Sequence, residues 1–231
     1  MQKFQIHNKN LEKIELRNEK KLIFLETESY LLNFFKFLKF REIFQKRKIN
    51  SIYFETKNFD DLLDTIDGEK NRSKLRMRWY GETFNSVIEP VLENKIKINN
   101  KNYKKKQNLK VANISNEIST TEIKKIINNI KILDNLTQIK YNTRDPNILL
   151  SYDRRYFMFK NIRITLDTNL RSCNFYRKKK ISKNDFFIKK KFNIVEFKYH
   201  DNEFEEIKKL SENFKNRFTK FSKYENSLIN F

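Results

Sequence analysis

The sequence predicts an α+β protein built on a closed antiparallel β-tunnel, with charged residues turned inward and apolar residues turned outward beneath covering helices. Several segments alternate between apolar and charged residues, the strand period. Their charged positions are filled mostly by Lys, Arg and Glu rather than by neutral polar residues. Other segments carry the apolar spacing of amphipathic helices.

The elements follow in chain order. Leu16 to Lys21 aligns Arg17, Glu19 and Lys21 on one strand face. Glu28–Phe40 reads as a helix, with Leu31, Phe34, Phe35 and Leu38 on its apolar side. Phe59–Asp67 reads as a second helix, capped by Asn58 and stopped at Gly68. From Lys74 to Tyr80, Lys74, Arg76, Arg78 and Tyr80 share one face, and Met77 and Trp79 take the other. Leu92 to Ile98 groups Glu93, Lys95 and Lys97, and Pro90 just ahead must fall at a strand start or edge. Asn99–Asn116, with Lys101, Lys104, Lys105 and Lys106, reads as an irregular, solvated basic loop. Thr121–Leu133 is a helix through Ile123, Ile126, Ile127 and Ile130. The strand Asn147–Phe157 carries Tyr152, Arg154 and Tyr156 on one face. Ile162 to Asp167 groups Arg163, Thr165 and Asp167, and Val195 to Tyr199 groups Glu196 and Lys198. Glu203–Asn216 is the last helix expected.

An ordinary sheet with one wet face accounts for any one of these strands. Taken together, their faces repel themselves unless an anion neutralises them. A closed barrel places them around a hydrated interior. Burying cations is costly unless they are paired or bound to an anion. The inward carboxylates offset part of that cost and offer oxygen ligands to a divalent metal.

The length of 231 residues fits a single domain, taken here as 1–231. Only 38% of residues are hydrophobic, but 22 Phe and 10 Tyr suffice to fill a core. Two Gly and two Pro leave no flexible linker. The net charge of +21 attracts polyanions, although Lys, Asn, Ile and Phe are enriched together, as in AT-rich genomes, which supplies part of that charge without function. Cys173, the only cysteine, excludes an intramolecular disulfide and suits a reducing compartment. His7 and His200 are too scattered for a zinc site. Met1–Asn10 has no long apolar stretch, so no signal peptide is expected. The richest apolar run, Tyr30 to Phe40, is interrupted by Lys36 and Lys39 and is too short to span a bilayer. The expected location is cytoplasmic, with peripheral attachment to a membrane allowed.

Seven motifs stand in an order that resembles a known family. They are Ser51-Ile52-Tyr53-Phe54-Glu55-Thr56, Lys74-Leu75-Arg76-Met77-Arg78-Trp79-Tyr80-Gly81, Leu92-Glu93-Asn94-Lys95, Tyr152-Asp153-Arg154, Arg163-Ile164-Thr165-Leu166-Asp167-Thr168, Val195-Glu196-Phe197-Lys198 and Phe221-Ser222-Lys223-Tyr224. They resemble those of the VTC (vacuolar transporter chaperone) domain, a polyphosphate polymerase family within the triphosphate tunnel metalloenzymes. Glu55 replaces the family's usual Asp, and the superfamily's ExExK first strand reads Arg17-Asn18-Glu19-Lys20-Lys21. The resemblance implies an eight-stranded tunnel through which polyphosphate threads while the γ-phosphate of ATP is added to it. It implies phosphate contacts and catalysis by Arg76, Arg78, Lys95, Arg154, Arg163 and Lys198. Substrate binding by Lys21, Lys74, Lys104, Lys106 and Tyr152 is likewise implied, with Lys223 at a tunnel end. It implies Mn²⁺ or Mg²⁺ held chiefly by Glu196, supported by Glu93 and Glu19. A membrane-protein partner is also allowed, because polymerase members belong to membrane assemblies.

Phosphoryl transfer needs charge neutralisation and in-line geometry more than a nucleophilic side chain. The absence of a Ser/His triad or a Walker motif is therefore consistent with the chemistry. Hydrolysis of tripolyphosphate or a nucleoside triphosphate, with water as acceptor, and non-enzymatic polyphosphate binding remain alternatives. Nucleic-acid binding is disfavoured, because no recognition helix or RNA-stacking aromatic motif is present and the cations are expected inside.

Overall fold

The computed structural model describes residues 17–84, 88–99, 101–110, 116–128, 131–132, 134–176, 178–186 and 192–229. Among these residues eight strands form one antiparallel sheet: β1 (Asn18–Phe24), β2 (Arg41–Glu55), β3 (Asn71–Tyr80), β4 (Ile88–Ile98), β5 (Lys101–Asn108), β7 (Asp145–Phe159), β8 (Ile162–Asn174) and β10 (Asn193–Tyr199). Their order is β1-β10-β8-β7-β2-β3-β4-β5. The short strands β6 (Glu117–Ser119) and β9 (Lys180–Ser182) pair separately.

Among the described residues six α-helices accompany the sheet: α1 (Glu28–Phe37), α2 (Asp60–Ile66), α3 (Thr120–Asn128), α4 (Asn135–Asn142), α5 (Phe204–Ser211) and α6 (Lys223–Ile229). Leu31 and Phe35 of α1 pack with Leu22, Ile164, Leu166, Val195 and Phe197 in one cluster that also takes Ile207 and Leu210 of α5. Met77, Trp79, Leu75 and Leu92 join Ile123, Ile126 and Ile127 of α3 in a second. Thus Met77, Trp79, Ile164, Leu166 and Phe197 are all fully buried on the helix-covered face, as their parity requires.

Several expectations change. Among the described residues no ladder joins β1 to β5, so the sheet is not closed by hydrogen bonds. The outer edge of β1 instead meets Thr219, whose N–H donates to the Lys21 carbonyl at 2.9 Å. The sheet is nonetheless rolled. Lys95 on β4 and Glu19 on β1 act on one another electrostatically although five strands separate them in the sheet order. Nor do all helices lie outside. Tyr224 and Leu228 of α6 pack on Ile148 and Leu150, which stand opposite Tyr53 and Ser51 on the inner face.

The stretch read as a basic loop contains β5. The first expected helix runs shorter, ending at Phe37, and the last ends at Ser211. Asn58 does not cap α2. Phe59 is the N-cap in a left-handed conformation, and Glu55 Oε1 accepts from the Asp61 N–H at 3.1 Å. Gly68, at φ +75°, ends this helix as expected. Pro90 lies near the start of β4, where the β3–β4 register slips. Leu16, His7, residues 129–130 and 133, and residues 100 and 111–115 lie outside the described set.

Candidate functional site

Directly opposed residues on neighbouring antiparallel strands share a face. The registers therefore assemble rows across the concave side. Lys74 on β3 stands opposite Lys95 on β4, which stands opposite Lys104 on β5. The next row runs Tyr53, Arg76, Glu93, Lys106. Arg78 faces Ser51 in the row beyond, its Nε donating to Ser51 Oγ at 3.2 Å. On the opposite wall Glu19, Lys198 and Arg163 form one row and Lys21, Glu196 and Thr165 another. Arg154 is opposite Asp167. Lys105, between the two inward lysines of β5, is turned to the helix side and pairs with Asp134 before α4.

Carboxylates hold some of these cations. Arg154 grips Asp167 through Nε at 2.5 Å and Nη2 at 2.7 Å, and Lys223 of α6 reaches the same carboxylate at 2.5 Å. Lys223 and Arg154 also lie over the Tyr152 ring, at 4.9 and 5.4 Å. Arg76 Nε donates to Glu93 at 2.6 Å. Lys198 meets Glu196 at 2.5 Å, and Lys21 meets Glu19 at 2.6 Å and Glu196 at 3.9 Å.

Among the described residues no carboxylate is in contact with the lysine row. Burial, with the neighbouring Lys95 and Arg72 adding to it, pushes Lys74 down to about 8. Lys104 reaches solvent yet is also pushed down to about 8, by desolvation first and then by Lys198 and Arg76. Lys95 is lowered by burial and by Lys21 and Arg76, with Glu19 opposing. Across the interior, burial favours the neutral form of Glu196, but Lys198, Arg154 and Lys21 outweigh it and hold the carboxyl well below its usual range. Glu93 falls to about 2, with Arg76 and Arg78 overcoming the burial that opposes them.

All twelve cations and aromatics expected at the site are thus on the concave side or its α6 end, Lys106 and Arg163 by register. The three carboxylates expected for a metal are not one cluster. Glu19 and Glu196 share Lys21 and Lys198, whereas Glu93 is taken by Arg76. Among the described residues no group of three or more His, Cys, Asp or Glu is placed to hold a metal. A pair still fits a hard divalent cation, which commonly binds one or two carboxylates plus phosphate oxygens. The buried Thr165 hydroxyl beside Glu196 has no hydrogen-bond partner, which suits a site completed by a ligand.

Tyr53, Ser51, Asp167 and Tyr224 join the site without having been singled out as ligands. Tyr53 was masked by its apolar neighbours Ile52 and Phe54, though its parity with Ser51 and Glu55 carries the signal. No described helix is long and apolar enough to cross a membrane.

The family described as the VTC domain matches residues 1–230. No curated protein matches the sequence. A putative adenylate cyclase from Bacillus halodurans is similar in structure, with TM-score 0.53 and 14% identity over 90% of this chain and 94% of that one. A putative adenylyl cyclase from Hippeastrum, described as having a dominant triphosphatase activity, gives 0.49 and 14% over 90% and 94%. A Pyrococcus horikoshii protein gives 0.48 and 14% over 92% and 99%. At such identities the likeness concerns fold, and the similarity to the Bacillus protein carries it.

Proposed function

The chain belongs to the VTC domain family, and on that premise we propose that its concave face binds a linear phosphate chain and transfers the γ-phosphoryl group of ATP onto polyphosphate. The observation that supports this best is the row Lys74–Lys95–Lys104, three like charges side by side. Such a row is self-repelling when empty and is opposite in sign to a strip of phosphates. Arg78 and Arg163 add planar forks suited to pairs of phosphate oxygens, while Arg76 and Arg154, gripped by Glu93 and Asp167, add positive charge.

In the reaction a terminal oxygen of the acceptor chain attacks the γ-phosphorus, a new P–O bond forms, and the bond to the β-phosphate oxygen breaks to release ADP. The acceptor oxygen is already anionic at neutral pH, so no side chain need take its proton. Arg76, Arg78 and Lys95 hold the phosphates in line and neutralise charge on the transferred group. Lys198 and Lys21 sit on the opposite wall to clamp the chain from its other side. Lys104 and Lys106 on β5, and Lys223 beside Tyr152, extend the cationic track to either side. Glu196 and Glu19 would hold Mn²⁺ or Mg²⁺, which when bound supplies Lewis-acid polarisation of a phosphoryl oxygen.

The test incubates purified protein with ATP and Mn²⁺ and resolves long-chain polyphosphate from free phosphate. Long chains that grow with time are the expected product. Free phosphate as the main product would replace transfer by hydrolysis, and no turnover with tight triphosphate binding would leave a binding module.

A further inference from the structure

Two tyrosines pack ring against ring, tilted by 31°, at the α6 end of the concave face, and their hydroxyls meet opposite surroundings. The rings of Tyr53 and Tyr224 are 4.9 Å apart. Tyr224 Oη donates to the buried carboxylate of Glu55. Tyr53 Oη is instead bonded to Arg76 Nη1 at 3.0 Å, and the guanidinium also stands 5.8 Å from its ring centroid. From β3, Lys74, Arg76 and Arg78 all face Tyr53. From β4 the nearest charge is Glu93, which is bound to Arg76 rather than to the phenol. The β7 side contributes the apolar Ile148, and α2 contributes Leu62. Asp61 of α2 is engaged by Lys140 and Arg144. Besides Tyr224, α6 brings Glu225, which acts on Lys74.

We propose that Tyr53 is a built-in counter-anion of the empty site: its phenolate oxygen holds the Arg76 guanidinium until a phosphate chain replaces it, whereupon the phenolate takes a proton from solvent. This rests on the polyphosphate reading above. The geometry gives the phenolate a cation on its oxygen and two more beside it, whereas Tyr224 must keep its proton to bond Glu55. In the same direction, Arg76, Arg78 and Lys74 overcome burial and bring Tyr53 down to about 7, while burial and Glu55 raise Tyr224. A bound phosphate chain neutralises those cations and removes the cause of the shift. The proton balance is then simple: one phenolate and one solvent proton give one phenol for each chain segment bound at Arg76 and Arg78.

Lysines of the row also take up protons when an anion binds, so the readout must belong to tyrosine alone. The ultraviolet absorbance of tyrosinate is such a readout, and wild-type protein suffices to measure it. In the ligand-free protein at low salt, one tyrosine should ionise around pH 7, well before the usual phenol value of 10.0. Saturating inorganic triphosphate should abolish that early step. Tyr53→Phe should lack it with or without ligand. At pH 8 the variant should bind triphosphate about tenfold more tightly than wild type, and the gap should widen as pH rises toward 10.0, because no phenolate competes. Absence of any early tyrosinate in the ligand-free wild type overturns the counter-anion. An early step that persists while triphosphate raises the melting temperature overturns the exchange. If triphosphate neither binds nor stabilises, the polyphosphate reading falls and the exchange with it. The ligand-free titration still decides separately whether the phenolate exists.

Discussion

On the proposed function, single residues divide into those that would hold the ligand and those that hold the fold. Among the described residues Arg78 bonds Ser51 and no carboxylate, so on the proposed reading Arg78→Ala removes a charge-assisted phosphate contact, along with its field on Glu93 and Tyr53. Calorimetry with triphosphate should show a loss of about 1.5–3 kcal/mol, roughly tenfold to hundredfold in Kd. Glu196→Gln should abolish metal-dependent turnover of ATP and leave triphosphate affinity unchanged or higher, because it removes a counter-charge from a basic cavity. Full activity in that variant would take the metal away from Glu196. Asp167 is a different case. Its side chain has no exposure and it answers both Arg154 and Lys223, so Asp167→Asn strands two buried cations. A loss of about 3–5 kcal/mol in denaturant unfolding is expected. A loss below about 1 kcal/mol would show that neither cation depends on it.

At the scale of elements, parity governs what each strand tolerates. Met77 of β3 is fully buried under α3, and its neighbour Arg78 points to the hollow. Met77→Arg should unfold the protein, since a buried unpaired charge costs at least about 3–5 kcal/mol. Arg78→Met should keep the fold and raise the ligand-free melting temperature by about 2–4 °C, the equivalent of about 1 kcal/mol at this length. Circular dichroism melts would distinguish the two, and equal damage from both would erase the distinction between the faces. Parity is also what made β3, β8 and β10 legible in the sequence. In β5 it failed, because the outward Lys105 is as charged as the inward Lys104 and Lys106, and only the register to β4 separates them. The helix α4 was missed because its sequence is mostly polar and its hold on the fold comes from long-range pairs such as Lys140 with Asp61. The α6 position was equally unreadable. Nothing local in Phe221 to Tyr224 says that Lys223 will find Asp167, far away in the chain.

At the scale of the whole molecule, stability should track the empty charge. Triphosphate at a hundred times its Kd should add about 2.7 kcal/mol, or about 5–10 °C in melting temperature, and added salt should shrink the gain. The ligand-free protein should also respond to pH. Lys74 ionises near 8 when folded and at 10.5 when free, so the unfolded chain binds more protons between those values. Its contribution to stability therefore rises with pH across that window and is lost as pH falls through about 8. The carboxylates act at the acid end. Glu93 adds stability that is complete above its ordinary 4.5 and disappears as pH falls toward about 2. Melting temperatures that fall between pH 8 and 10.5 would show that the row is not strained. Along β5 the margin is unjoined among the described residues. A barrel laced all the way round can open only by breaking a ladder, but a scroll with a free hem can loosen there while the rest stays shut. Outward amides of Lys101–Asn108 should therefore take up deuterium early, and those between β7 and β8, laddered on both sides, should take it up last.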